Sequence, residues 1–444
     1  MLWAVLLLSL APRGHADADS SAPDTSRTGV RGLEQERHET GDLARSLVDA
    51  VLYLPRVTLN GFLYSTRFGV SVSQDPRVIE RAKDIFLFTD HDGFYPRAAL
   101  SAESFPALGI NLFHRGKRLG GVLGAAYSND RFWTTSAHLA YQSRWGERVV
   151  KLALAGEIEV EDDRILHGIG ASPRIDPRSF FLPEAAEESA RYLQRQEKLE
   201  LVLGLRTASN IEIFFDSMYR RRKPTSPPEG SDRLDAVFDV AGLPGAGSRD
   251  EQVYSEVSLR FQTRRYRGTP SPGLRVDGYA GVSHGVGEHK GRLLRSGGDL
   301  AVFFPVIKRN RLIVLRGTVD MVENLTDEVP ISFADYPRHL TFRGVSSTRT
   351  ILRTDEWVLV PSLGYQWPLA HSLSGQLFVD GLLVAHSLDR LSTRDAPWAT
   401  GLALELHTRH HVFGRILLAG GSEGARVGLD VGSSITRNDR SRWR

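Results

Sequence analysis

From about residue 94 to about residue 435, apolar and polar residues alternate with a period of two, and no other feature limits the possible folds so strongly. Successive side chains of a strand point to opposite faces, so this alternation marks strands with one apolar and one polar face. Val150, Leu152, Leu154, Gly156 and Ile158 alternate with Lys151, Ala153, Glu157 and Glu159. Leu199, Leu201, Leu203 and Leu205 alternate with Lys198, Glu200, Gly204 and Arg206, and Val257, Leu259 and Phe261 with Glu256, Arg260 and Gln262. About sixteen such segments can be counted, starting near residues 94, 107, 121, 132, 147, 194, 208, 253, 272, 293, 310, 355, 374, 398, 411 and 425.

The connections sort by parity. After even-numbered segments they are short, as in "RGKRLG", "SRWG", "TASN" and "IKRN"; the long ones, about 161–192, 223–252, 324–354 and 386–397, all follow odd-numbered segments. A soluble sandwich would bury its apolar faces against each other and has no reason to sort its loops over so many strands. A membrane barrel requires both features, with apolar residues toward lipid, polar residues toward the lumen, and short turns on one side only. Closure also removes the sheet edges that lipid penalises. The chain is therefore expected to be all-β, a transmembrane antiparallel β-barrel of about 16 strands over residues 94–435, with a short N-terminal helical segment.

One strand checks the dimension. In "WVLVPSLGYQW", Trp357, Leu359, Pro361, Leu363, Tyr365 and Trp367 share one face. Ten residue steps tilted by about 45° separate the two Trp by roughly 24 Å along the membrane normal, close to an apolar band of about 25 Å between aromatic girdles. Pro361 removes a ladder hydrogen bond, so a bulge or distortion is expected there.

Outside the alternating region the chain opens with an apolar run, Leu2–Leu10, followed by small residues at Gly14-His15-Ala16, which reads as a signal peptide over 1–16. Residues 17–40 are polar and charged and are expected to be a disordered leader. Leu43, Leu47, Val51 and Leu54 recur at helical spacing before Pro55, which places an amphipathic helix in a periplasmic segment over 41–93. Asp75-Pro76 suits the start of a second, short helix, and residues 436–444 form a polar tail. The chain has no Cys, which excludes disulfides and thiolate metal sites. Its net charge of +3 comes from interleaved charges and gives no basic stripe for nucleic acid.

Motifs of catalysis fall in the wrong context. Gly420-Gly-Ser-Glu-Gly424 matches a hydrolase nucleophile elbow but lies between two alternating strands, so it reads as a tight hairpin. Asp90-His-Asp-Gly93 lacks the later ligands of a calcium loop and reads as a turn. His407, His410 and His411 point in different directions, and Gly281, Gly285 and Gly287 have no following helix to cradle a phosphate. The acidic run Glu157–Asp163 reads as a solvated strand tip, with divalent ions bridging it to lipopolysaccharide as the weaker alternative. No catalytic set emerges, and neither an enzyme nor a cofactor is expected.

The long connection after the eleventh segment carries Phe342-Arg343-Gly344-Val345, followed by Arg349. The next strands carry "YQWPL" at 365–369 and "LFVDG" at 377–381. In these residues, and more weakly in "HGIGASP" at 167–173, the chain resembles the bacterial surface-antigen family of outer-membrane barrels, the superfamily of BamA and TamA. The resemblance implies a sixteen-stranded barrel whose sixth external loop folds into the lumen, with Arg343 received by Phe378 and Asp380, near Gly381, on the wall. A guanidinium in a polar lumen needs a partner and offers a planar fork to a carboxylate; Gly344 lets the tip turn sharply. Val345 stands where the family usually has an aromatic, and Pro337-Arg338 where a Gly pair is common, which implies looser docking. The short segment before the barrel resembles a branch lacking POTRA domains.

The implied function is assistance in inserting or translocating proteins or lipids at the bacterial outer membrane, with outer-membrane lipids or lipopolysaccharide and client proteins or lipids as partners. Two alternatives stay open. One is a passive pore whose selectivity is set by Glu256, Arg260, Asp299, Arg316 and Asp320; the other is a structural or surface-recognition barrel whose long loops bind a partner.

Overall fold

The computed structural model describes residues 87–89 and 91–431, apart from 102–103, 129–131, 147, 209, 229, 231, 265–269, 287–289, 307, 327, 338–341, 345–349, 352, 371–372, 395, 408–411 and 423. The expected signal peptide, leader, both N-terminal helices and polar tail lie outside the described residues, as do Val345, Arg349, His410, His411 and Gly287.

The strands are β1 (Asp92–Ser101), β2 (Ser104–Arg115), β3 (Leu119–Ser128), β4 (Phe132–Trp145), β5 (Arg148–Leu166), β6 (Ala190–Ala208), β7 (Ile211–Thr225), β8 (Asp250–Gln262) and β9 (Gly273–Gly285). They continue as β10 (Arg292–Val306), β11 (Lys308–Asn324), β12 (Thr350–Ile351), β13 (Trp357–Ala370), β14 (Leu373–Gly381), β15 (Leu383–Ala385), β16 (Trp398–His407), β17 (Val412–Gly421) and β18 (Gly424–Val431). β12 is a two-residue ladder inside a loop, and β14 and β15 are halves of one stave broken at Leu382, so the eighteen strands make sixteen staves. Each stave starts within four residues of the position read from the alternation. Every stave pairs antiparallel with its chain neighbours, across the short turns and the long connections alike. Among the described residues, β18 returns to β1 at a single register position, Ser101↔Gly428.

The polarity is inverted relative to a soluble protein. On β6, Leu201 is 40% exposed on the outside, whereas Glu200 beside it is 8% exposed on the inside. Inward arginines are matched to carboxylates: Arg260 to Asp277 at 2.5 Å, Arg206 to Glu212 at 2.6 Å, Arg295 to Asp320 at 2.5 Å, and Arg316 to Asp299. Buried charge is tolerable only when paired in this way.

Pro361 interrupts the wall without shifting it. Leu359↔Leu383 and Ser362↔Asp380 keep one register, but the ladder between β13 and the β14–β15 stave is missing across Val360 and Pro361. The N–H of Leu382 donates instead to the carbonyl of Pro397 at 2.8 Å. The distortion expected from the missing donor is therefore a gap, not a bulge.

β5 and β6 are 19 residues each. At this tilt such strands reach about 43 Å, well beyond the hydrocarbon layer. Their projecting ends carry a dome built from the connections on the long-loop side. Its core holds Leu166, Tyr192, Leu234, Val237, Phe238 and Phe333. The acidic run in β5 belongs to this projection. Glu159 and Glu161 are buried, and Arg164 lies 2.9 Å from each, beyond a register shift that turns it inward. The solvated tip expected for Glu157–Asp163 is thus corrected: Glu159 and Glu161 are neutralised by Arg164 of their own strand, and Glu157 by Lys198 of β6 at 3.0 Å.

Candidate functional site

The connection between β11 and β13, residues 325–356, leaves the dome and re-enters the barrel. Its root is fixed by Asp335, which accepts hydrogen bonds from Arg220 at 2.6 Å, from Gln252 at 2.9 Å and from Arg222. Arg222 is 1% exposed and also donates to the carbonyl of Ala334 at 2.7 Å and to Asp250 at 2.8 Å. Burial alone would raise the Asp335 carboxyl; the Arg222 and Arg220 charges instead hold it well below the usual carboxylate range. The neck is pinched where the Thr354 hydroxyl donates to the carbonyl of Pro337 at 2.8 Å.

Inside this neck, Phe342 is 1% exposed and packs with Val358, Val360, Leu382, Val384 and Ala399 on the inner wall. Arg343 follows, with a set of contacts that leaves little of its donor capacity unused. Its Nε and Nη2 donate to the two oxygens of Asp380 at 2.8 and 2.6 Å, and its backbone N–H reaches the same carboxylate at 3.1 Å. Nη2 also donates to Ser362 Oγ at 2.7 Å and Nη1 to Gln376 Oε1 at 3.2 Å. The guanidinium carbon lies 3.7 Å from the centre of the Phe378 ring, within cation–π range. Asp380 is fully buried, and this guanidinium is the charge set against it. At Gly344 an added Cβ would come within 2.7 Å of the Ala399 Cβ and 2.8 Å of the Phe342 ring, so only glycine fits against the wall.

Of the residues singled out in the sequence, Phe342, Arg343, Gly344, Phe378 and Asp380 are brought together. Gly381 is not at the contact. It lies opposite Pro361, where an added Cβ would sit 3.4 Å from the ring Cγ. Gln376 and Ser362 were not foreseen. Gln376 shares inward parity with Phe378 and Asp380 on β14, and Ser362 is the cross-strand partner of Asp380, so strand periodicity would have pointed to both. The Asp335–Arg222 root had no such signal, because its members are more than a hundred residues apart.

After the contact the chain returns along the dome. β12 runs parallel to Ile165–Leu166 of β5, and the N–H of Gly170 donates to the carbonyl of Thr354 at 2.8 Å. "HGIGASP" therefore receives the outgoing strand. Gly168 and Gly170 adopt φ of 93° and 90°, and Ser179 Oγ closes the turn by accepting from Ile169 N–H at 2.8 Å. Arg178 reinforces the junction with a two-pronged bond to Asp355, both at 2.9 Å. His167 is held neutral: burial first, then the Arg353 charge, pushes its imidazole down to about 4.

At the opposite mouth, Arg264 in the β8–β9 connection also points inward. Its guanidinium lies 3.9 Å from the centre of the Phe303 ring on β10 and donates to Gln366 Oε1 on β13 at 3.4 Å. The hydrolase-like motif forms the β17–β18 hairpin, with Gly421↔Gly424 as its last pair and the Ser422 hydroxyl accepting from Trp398 N–H at 3.0 Å. Asp92, expected in a turn, is instead the first residue of β1, and it binds Thr89 Oγ1 and His114 Nδ1, both at 2.6 Å.

A sixteen-stave antiparallel wall, apolar outside and charged inside, with a long loop folded back onto its inner face, defines a transmembrane β-barrel of the outer-membrane type. No protein-family model and no curated protein matches the chain. Among solved structures it is similar to BamA from Haemophilus ducreyi lacking POTRA domains 1–3, with 10% identity, 77% of this chain and 69% of that chain covered, and a TM-score of 0.54. CdiB from Acinetobacter baumannii aligns with 8% identity over 77% of this chain and 59% of that one, at a TM-score of 0.44. The fold is thus a BamA-like outer-membrane barrel, as the loop and wall residues implied.

Proposed function

We propose that the chain resides in the bacterial outer membrane, with its long connections outside and its short turns in the periplasm, and assists the insertion or translocation of proteins or lipids. The observation that carries this reading is the seam. Every other pair of neighbouring staves shares an extended ladder, but among the described residues β1 and β18 meet only at Ser101↔Gly428. An unpaired edge is costly in lipid and is a template for another strand, so a weak seam in a wide barrel suits lateral entry of a client. The loop held through Arg343 fits this role as an internal brace, because it ties β13 and β14 to the dome while the seam lies elsewhere in the wall.

Reconstitution tests this directly. Vesicles carrying the protein should accelerate membrane insertion of an unfolded outer-membrane barrel, and Arg343→Ala should reduce that acceleration. Steady ohmic conductance, unchanged by Arg343→Ala and accompanied by no acceleration, would instead establish a passive pore.

A further inference from the structure

The two short turns β2–β3 and β4–β5 combine a charge and a surface that the lumen and dome do not use. Residues 115–118 and 144–148 contain Arg115, Lys117, Arg118, Arg144 and Arg148 against one acid, Glu147. Two of the long connections on the opposite side run the other way: residues 167–189 and 226–249 each hold two Arg and four acids. Inside the barrel Arg206, Arg260, Arg295 and Arg316 are tied to carboxylates, but these five cations are exposed and make no ion pair among the described residues. Arg115 lies only over the Phe113 ring, 4.9 Å from its centre.

The turns adjoin each other. Gln142 N–H donates to the Arg118 carbonyl at 2.7 Å, and Leu119 pairs with Tyr141 across β3 and β4. Between the cations, Leu119, Tyr141 and Trp145 are 44%, 41% and 71% exposed. Trp145 pairs with Arg148 across the tight turn at Gly146. An exposed Trp and Tyr at the edge of a lipid-facing wall, immediately below several Lys and Arg, match the depth of phospholipid headgroups. Polybasic segments at that depth attract anionic lipid through charges that salt screens.

We propose that the paired hairpins β2–β3 and β4–β5 form a binding site for anionic glycerophospholipid headgroups in the leaflet on the short-turn side of the membrane. The site rests on the membrane-barrel reading. A lipid surface is favoured over an acidic protein because the cations rise from the same hairpins as the lipid-facing aromatics, so the headgroup is already in place when the barrel is inserted.

The test uses the full chain in neutral detergent, exposed to equimolar phosphatidylglycerol and phosphatidylcholine, with bound lipid counted by native mass spectrometry. The barrel itself is checked separately by heat-modifiable gel migration. Wild type should retain phosphatidylglycerol by roughly tenfold or more over phosphatidylcholine at low salt, and the preference should collapse at high salt. The variant R115Q/K117Q/R118Q/R144Q/R148Q should lose the preference while remaining heat-modifiable. The salt series on wild type keeps the test decisive if that variant does not fold. Equal retention of the two lipids by wild type, a preference that survives the five substitutions, or a salt-sensitive acidic protein partner in place of the lipid preference would each overturn the proposal.

Discussion

Arg343 meets Asp380 through two side-chain bonds and one backbone bond, and the carboxylate has no exposure to water. Removing either partner strands the other, at a cost of about 3–5 kcal/mol for a buried pair. Arg343→Ala and Asp380→Ala should each raise protease cleavage within residues 324–354, with the double variant close to either single one; additive effects would show that the two act independently. Lysine should not rescue, because a point charge cannot fill the fork to Asp380, Ser362 and Gln376 together. Gly344→Ala should loosen the same loop by about 1–3 kcal/mol, since the new methyl would crowd Ala399 and Phe342. His167 adds a pH dependence. Its folded value, about 4, lies below its unfolded value near 6.5, so the folded dome favours the neutral ring. The stabilisation is complete above pH 6.5 and is lost as pH falls toward 4, by at most about 3 kcal/mol. Hydrogen exchange at residues 167–170 should therefore accelerate over that window in wild type and not in His167→Gln; equal acceleration in both would assign the pH effect to another group.

At the scale of elements, the strands were legible because each has one face in lipid and one in the lumen, and alternation records that directly. Their ends were less so. β6 starts at Ala190 and not near 194, because its outer end leaves the membrane to carry the dome and no longer alternates. The loop contact was partly legible. Arg343, Phe378 and Asp380 follow from a family resemblance and strand parity, but Val345 lies outside the described residues, and Gly381 serves the gap at Pro361. The dome was invisible in the sequence because its core joins Leu166 at the end of β5 to Phe238 and Phe333 from two separate connections. Asp335 holds that assembly to β7 through Arg220 and Arg222. Asp335→Ala should leave Arg222 buried without its full complement of partners and release the loop root, again by about 3–5 kcal/mol. Hydrogen exchange of residues 331–336 should rise well before the staves exchange, whereas unchanged protection would place the anchor elsewhere.

For the whole molecule, the distribution of pairing matters more than any one residue. Apart from the gap at Val360 and Pro361, the other neighbouring staves share extended ladders, and among the described residues β1 and β18 are the pair that meets at one position. The chain has no Cys, so a disulfide between Ser101→Cys and Gly428→Cys would form without competition. The most direct measurement is the rate at which vesicles carrying the S101C/G428C variant insert an unfolded outer-membrane barrel, before and after reduction. If the seam is the route of entry, the oxidised protein should remain heat-modifiable but lose its acceleration, and reductant should restore it. Equal acceleration by the oxidised and reduced forms would contradict the account.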